Sequence, residues 1–473
     1  MSSPLQDTPM GSSDLQEEHG LDVEPRQLYD EIWDIDVEEL EMYRPGGFCP
    51  INIGDMIVGR FKIIHKLGFG GFATVWLARE DAKNRYVALK IIIANDSETY
   101  QKLPSMAPLL EQYPDLFLVE FEHFYFDSPN GNHFCQVSPV LGPTIGSLGF
   151  PCALYPQYAR KWSWQMAHAV EVMHSNGLCH GDLTPSNVAL RLSKQLDNLS
   201  EGVIRDIFPV KGVEVTLLPD HKPTFTPYAP RHAVQPMDLS RLPAEYLSDK
   251  LSILDFDLAF PTHDPPDYLS AIPPQYMAPE TIFELKNGPS ADVWALGCLM
   301  FRMRCGRDIF SDDSDSPSSA VLNMWKVVGS HLLKEWKLVN FDRHGWPIHG
   351  DDTHEDIDEF STFSSDYHRS GTKTLREYIQ GAFDPLQPEL VDDTDGTRQF
   401  RRKIPYEAYD NGLKEEWMGK IATPISQKEA DCFYDLMLQV FNYDTTKRIT
   451  AKEILHHPWF AGECVPENKS GVE

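Results

Sequence analysis

Four short strings carry residue types with chemical capacity, and they follow one another in a fixed order along the 473 residues. The first, Leu67-Gly68-Phe69-Gly70-Gly71-Phe72-Ala73-Thr74-Val75, is glycine-rich and flanked on both sides by strand-type sequence. Glycine lets backbone N–H groups approach phosphate oxygens with no Cβ in the way, and a strand-turn-strand setting differs from the strand-to-helix turn of a dinucleotide site. Lys90, in Val87-Ala88-Leu89-Lys90, lies 22 residues after Gly68, and strand alternation puts Ala88 on the same face. The second string is His180-Gly181-Asp182-Leu183-Thr184-Pro185-Ser186-Asn187. Its spacing lets one loop aim the Asp182 carboxylate at a substrate hydroxyl and the Asn187 amide oxygen at a cation. The third, Asp255-Phe256-Asp257, follows the apolar run Leu251 to Leu254, and Asp255 offers oxygen to a hard ion such as Mg²⁺. The fourth joins Ala278-Pro279-Glu280 to Asp292-Val293-Trp294-Ala295-Leu296-Gly297.

Positioning those strings takes a strand-rich first lobe and a mainly helical second one, an α+β chain. Short β-type runs at Arg60 to Leu67, Phe72 to Glu80, Tyr86 to Ile93, Phe117 to Phe126 and His133 to Val137 place the first lobe at residues 61–141. Residues 142–460 read as the second lobe. Tyr158, Trp162, Gln165, Met166, Ala169, Val170 and Met173 fall on one helical face until Asn176-Gly177 ends it, a stripe that packs a core. Further helices are expected at Ala291 to Met303, Lys428 to Phe441 and Thr450 to His457. Ser193 to Lys250, Ser311 to Ser319 and Asp351 to Glu359 read as irregular, and insertions are drawn near 193–250 and 311–422. Residues 1–42 hold thirteen acids against Arg26 alone, a net charge of −12, and read as an acidic disordered tail. Residues 43–60 form an N-terminal extension and 461–473 a C-terminal tail.

With 42 Lys and Arg against 71 Asp and Glu the net charge is −29, which argues against direct nucleic-acid binding and for cationic partners. The eight cysteines include no CxxC pair, so neither a zinc cluster nor a disulfide framework is expected. Residues 1–20 lack the blocks of a signal peptide, and no apolar run is long enough to span a bilayer, so a location in the cytoplasm or nucleus, away from membranes, is expected. The group His344, His349, Asp351, Asp352, His354 and Glu355 has no ligand pair at helical spacing and reads as a solvated loop.

Taken together, the four strings resemble the eukaryotic protein-kinase signature over roughly Phe61 to Phe460. The resemblance implies a two-lobed kinase-like fold that transfers the γ-phosphoryl group of ATP, with Mg²⁺, to serine or threonine of a protein. It implies that Leu67, Gly68, Phe69, Gly70, Gly71, Phe72, Ala73, Thr74 and Val75 cover the phosphates, that Lys90 holds the α and β phosphates, and that Ala88, Ser138, Pro139 and Leu141 border the base. It also implies Asp182 at the acceptor hydroxyl, Asn187 and Asp255 on Mg²⁺, and Glu280 paired with Arg448. Tyr43-Arg44-Pro45-Gly46-Gly47-Phe48, Ile53-Gly54-Asp55 and the glycine-rich string are similar to the SR-protein kinases and their fungal relatives. Gly181 beside Asp182 and the 68-residue span from Asn187 to Asp255 resemble the same group, which implies a basic or Arg/Ser-rich substrate and activity without a phosphorylation switch.

Five positions depart from the pattern. Ala73 replaces the third glycine, Thr184 the catalytic-loop Lys, Pro273 a Thr that contacts it, and Asp257 the last Gly of the metal triad. Thr184 is expected to bond Asp182 directly and so to join the catalytic residues. Glu98 and Glu111 are the candidate helix partners for Lys90, and neither fits well. These changes keep open a pseudokinase scaffold, while Ala278-Pro279-Glu280 disfavours a small-molecule kinase.

Overall fold

The computed structural model describes residues 28–30, 32, 35–100, 106–148, 156–218, 226–266, 272–284, 286–311, 316–329, 336, 341–342, 344–348, 373–385 and 422–461. The first lobe is built on strands β1 (Met56–Ile57), β2 (Phe61–Phe69), β3 (Ala73–Glu80), β4 (Arg85–Ile92), β5 (Glu122–Ser128) and β6 (Gly131–Ser138). They form one antiparallel sheet in the order β1-β2-β3-β4-β6-β5. Alternation decides its two faces. Val87, Leu89 and Ile91 of β4 pack with Phe61, Ile63 and Trp76 into one core, while Ala88 and Lys90 point the other way. The expected strand from Phe117 shortens, because Phe117 bridges to Ile253 and Leu118 donates to its carbonyl before the chain enters β5 at Glu122.

Two short helices follow β4, α1 (Ala94–Tyr100) and α2 (Ala107–Gln112). The start of α1 is held by the N-terminal extension: Ala94 N donates to Gly47 O (3.1 Å) and Asn95 N to Gly46 O (2.8 Å). Gly47 has no room for a side chain there, since a Cβ would lie 1.9 Å from Met42 O.

In the second lobe, α3 (Pro156–Ser175) buries Trp162, Met166, Ala169, Val170 and Met173 as the stripe requires. Gln165 is its polar member. Its amide bonds Asp249 O (2.9 Å) and accepts from Leu251 N (2.8 Å), fastening the strand before Asp255 to the helix. Strands β7 (Leu178–Cys179) and β8 (Val188–Leu192) flank the catalytic loop, and the helix Pro289–Cys305 runs beneath it with Val293, Trp294, Leu296 and Phe301 buried. The helix Gln427–Val440 matches its expectation, whereas the last expected helix contracts to Ala451–Ile454.

Three expectations are corrected. Residues 28–42, drawn as disordered tail, pack on the first lobe: Tyr29 and Leu40 join Tyr43, Phe48, Val215 and Leu217 in a small core. The described part of 193–250, which leaves out 219–225, is regular in places: the helix Glu201–Ile207, the strand pair Gly212–Glu214 with His232–Val234, and the strand Leu247–Ile253 paired to β8. It straps the first lobe through Lys62 to Glu201 (2.9 Å), Tyr86 N to Asp197 Oδ1 (2.6 Å) and Met237 N to Lys66 O (2.9 Å). Of the irregular stretch expected at Ser311 to Ser319, Ser316 caps and Pro317 to Ser319 open the helix Pro317–Val328, while 312–315 lie outside the described residues. Residues 1–27, 351–359 and 462–473 lie outside the described residues. Among the described residues Cys49, Cys135, Cys179, Cys298 and Cys305 are free thiols. Among the described residues no helix is long and apolar enough to cross a membrane.

The tightest joint of this arrangement is a buried trio. Lys66 of β2, two residues before Gly68, is fully buried and gives its ammonium to Glu38, which also accepts from the Tyr43 hydroxyl. Breaking a buried pair leaves an uncompensated charge, at about 3–5 kcal/mol. Glu38→Ala should therefore lower the melting temperature by several degrees, and Glu38→Gln by less because its amide still accepts from Tyr43. Thermal denaturation monitored by circular dichroism checks both.

Candidate active site

The glycine-rich string closes the turn between β2 and β3, with Gly70 N donating to Ala73 O (2.9 Å) and Phe72 60% exposed at the tip. Gly68, Gly70 and Gly71 adopt no positive φ, and a Cβ on any of them would meet no atom within 4 Å. The protein's own packing therefore does not demand glycine here, whereas backbone approach by a phosphate does. Val75 stands opposite Lys90 across the β3-β4 pair, and Ala88 opposite Ser138 across β4-β6, so these side chains share the cleft face. Pro139 and Leu141 follow directly, and Gly142 N anchors the link at Leu190 O (2.8 Å). A cavity of about 160 Å³ beside this link is lined by Phe117, Phe121, Pro139, Leu141, Leu192 and their neighbours. It includes none of Leu67, Val75, Ala88 or Lys90, and is not the cleft itself.

Lys90 reaches down to the second lobe, where its ammonium binds Asp255 Oδ1 (2.7 Å) and Asp257 Oδ2 (2.6 Å). Glu98 and Glu111 are both exposed. Burial raises the Asp255 carboxyl, but the Lys90 charge and a bond from Asp257 outweigh it and bring the group below its ordinary range. Asp257 moves the other way, pushed up to about 6 by burial despite Lys90 and further by Asp255.

The catalytic loop is set by bonds rather than by regular structure. Asp292, buried in an otherwise apolar helix, accepts from His180 N (2.8 Å), Gly181 N (3.0 Å) and His174 Nε2 (3.0 Å). Burial raises the Asp292 carboxyl, yet the His174 bond and nearby charges hold it below its usual value. Asp182 N donates to His180 Nδ1 (3.2 Å), which leaves Nε2–H to donate to Leu254 O (3.2 Å) and fixes one tautomer of a ring kept neutral by burial. Asn187 then spends its Nδ2 hydrogens on Asp182 O (2.9 Å) and Oδ2 (2.8 Å), which leaves its Oδ1 with no part in holding the loop. Asp182 itself is pushed up to about 7 by burial and by the charge of Asp255.

Structure thus brings together Lys90, Asp182, Asn187 and Asp255, with Gly68, Ala73 and Val75 above them. Thr184 is a correction. It is buried and caps the turn Pro185–Asn187, and no bond from its hydroxyl reaches Asp182, whose Oδ2 is held by Asn187. Glu280 pairs with Arg448 as expected, in a buried two-pronged contact of 2.6 and 2.8 Å. Sequence reasoning gave no role to His174 or to Asp292. The signal for Asp292 was present, a lone acid in an apolar helix beside a tryptophan.

Comparison with known proteins decides the family. The protein kinase domain matches residues 61–198 and 245–460, about three quarters of the chain, and the unmatched 199–244 is the segment that straps the first lobe. The chain belongs to the protein kinase domain family. It is similar to the serine/threonine-protein kinase spk-1 of Caenorhabditis briggsae, 30% identical over 204 residues, which are 40% of this chain and 18% of that protein. The serine/threonine-protein kinase SRPK of Physarum polycephalum is 22% identical over 458 residues, 91% of this chain and 93% of its own. The serine/threonine-protein kinase SKY1 of Saccharomyces cerevisiae is 31% identical over 176 residues, 33% of this chain and 23% of its own. The match thus spans under a quarter of the nematode and yeast relatives.

Within that family Gly181 acquires a structural reason. It has φ +76°, and a Cβ on it would lie 2.4 Å from Leu258 O. Gly181→Arg should cost about 1–3 kcal/mol in backbone strain and displace the metal loop. A melting point equal to that of the native chain would contradict this reading.

Proposed function

We propose that the chain is an ATP- and Mg²⁺-dependent serine/threonine protein kinase acting on basic, Arg/Ser-rich proteins in the cytoplasm or nucleus. The observation that carries it is the convergence of Asp182, Asn187 and Asp255 beneath Lys90. Glycines that nothing in the protein requires, and an amide and a carboxylate brought close to Lys90, fit a nucleotide and its cation. When bound, these supply the γ-phosphoryl group and the positive charge that offsets it in transfer. Lys90 would take the α and β phosphates, and Asn187 and Asp255 the cation. Asp182, with its carboxyl near 7, is suited to accept the proton of a serine or threonine hydroxyl near neutral pH.

Substrate choice follows from charge and resemblance. Beyond residue 42 the chain still carries −17, and relatives include proteins named SRSF protein kinase 3. The acidic runs 351–359 and 389–395 lie outside the described residues, so the docking surface is assigned by charge alone. A nucleotide-binding scaffold is the second reading, favoured by Asp257 at the family's glycine position and by the engagement of Lys90 with two carboxylates.

Labelled ATP, Mg²⁺ and an Arg/Ser peptide separate the two, since transfer to serine supports the enzyme and binding without transfer the scaffold. Asp182→Ala should keep nucleotide affinity and lower kcat by about 10²-fold or more, because the residue acts on the acceptor. Full activity in that variant would remove Asp182 from its role. Exposed charges are screened over about 10 Å at 0.1 M salt. KM for an Arg/Ser peptide should accordingly rise with ionic strength while kcat changes little, and a salt-independent KM equal to that of a neutral peptide would refute acidic docking.

A further inference from the structure

We propose that Asp257 is the positioning carboxylate of Lys90, holding the ammonium so that Asp255 is free to ligate the cation; this rests on the nucleotide- and cation-binding part of the reading above, not on phosphoryl transfer. One ammonium and two carboxylates meet at 2.7 and 2.6 Å. Lys90 cannot serve phosphates, nor Asp255 a cation, while the two are bound only to each other. A second carboxylate two residues along changes this, because the ammonium keeps a partner when Asp255 turns away. The backbone places the two acids for such an exchange: Asp255 sits at φ +67°, a left-handed conformation rare for a residue with a side chain, and this turns the loop so that both carboxylates face β4. Partners for such a lysine ordinarily come from a helix of the first lobe. Here the helical candidates, Glu98 on α1 and Glu111 on α2, are exposed, and the acid stands instead where the family pattern has glycine. The pairing thus moves from a helix of the first lobe to the loop that carries Asp255 itself. Lys90 and the cation site become one unit within the second lobe's reach.

Two measurements on the full chain test this. In the first, thermal unfolding is followed without nucleotide or metal for Lys90→Met, Asp257→Asn and the double variant. The double variant should melt no lower than the worse single one, and strictly additive shifts would overturn the pairing. The second titrates Mg²⁺ against binding of a fluorescent ATP analogue. Asp257→Asn should raise the Mg²⁺ midpoint about tenfold, as loss of a residue orienting a metal ligand does, and Asp257→Glu should recover most of it. In the Lys90→Met background the same change should move the midpoint no further. A further shift there would make Asp257 a direct ligand and overturn the proposal, as would an unchanged midpoint in the single variant or a larger effect from Glu98→Gln. Neither readout needs transfer, so a chain that binds nucleotide without phosphorylating anything fails the kinase reading and leaves this inference standing. A chain that binds no nucleotide overturns both.

Discussion

One buried carboxylate holds the chemistry in place. Asp292 is 4% exposed and takes three donors, two from the backbone of His180 and Gly181 and one from His174. Each of those donors would otherwise be stranded in an apolar interior, at about 1–3 kcal/mol apiece. The loop therefore has one economical position, and everything downstream inherits it. His180, fixed at its N–H, passes the constraint through its ring to Asp182 N on one side and Leu254 O on the other. Leu254 precedes Asp255, so Asp182 and Asp255 are registered by a single neutral imidazole.

The first lobe is registered differently, by material outside the sheet. Lys66 lies two residues from Gly68, yet its charge is answered from residue 38, and the carbonyl of the same lysine is answered from Met237 in the strap. Asn130, on the β5-β6 turn, likewise bonds Phe48 O (2.5 Å) and Tyr228 O (2.7 Å), joining extension and strap. The strand that leads into the glycine-rich turn is thus clamped by segments on both sides of it in sequence, one before it and one far after it. A six-stranded sheet alone would leave β2 near its edge, covered only by two-residue β1.

Much of this was legible in the residues because the signals are local. Ala88 and Lys90 share a face by alternation, α3 follows its stripe, and the order of the four strings carries the family. What was hidden depends on contacts between distant segments. The polar, proline-rich composition of 193–250 reads as loop, yet Ile204, Phe208 and Leu242 are buried in the main core and Val215 in the small core with Tyr29 and Tyr43. Thirteen acids near the start read as solvated tail, and one of them, Glu38, answers a buried lysine whose burial no pattern shows. Thr184 was placed at Asp182 by proximity in sequence, but a five-residue reach from Asn187 fills that position first. Side-chain partnership across the loop, not spacing, decides it.

Gly181 and the far end of the segment after the metal loop belong to one argument. Where an Arg beside the catalytic acid would read a phosphate, the tight approach of Gly181 to Leu258 O leaves no room for any side chain. The segment must then be fastened by other means, and its downstream end is. Arg448 grips Glu280 with both nitrogens, adds a bond to Ser290 O (2.8 Å), and lies 5.0 Å over the Trp294 ring. Tyr276 donates to Asp308 (2.7 Å), which Arg302 holds in turn (2.6 Å). These contacts are buried or half-buried, so salt screens them little and no modification is needed to form them. The described downstream end of the segment is thus anchored by charges already present in the fold, in a chain whose Gly181 leaves no space for the side chain that would read a phosphate.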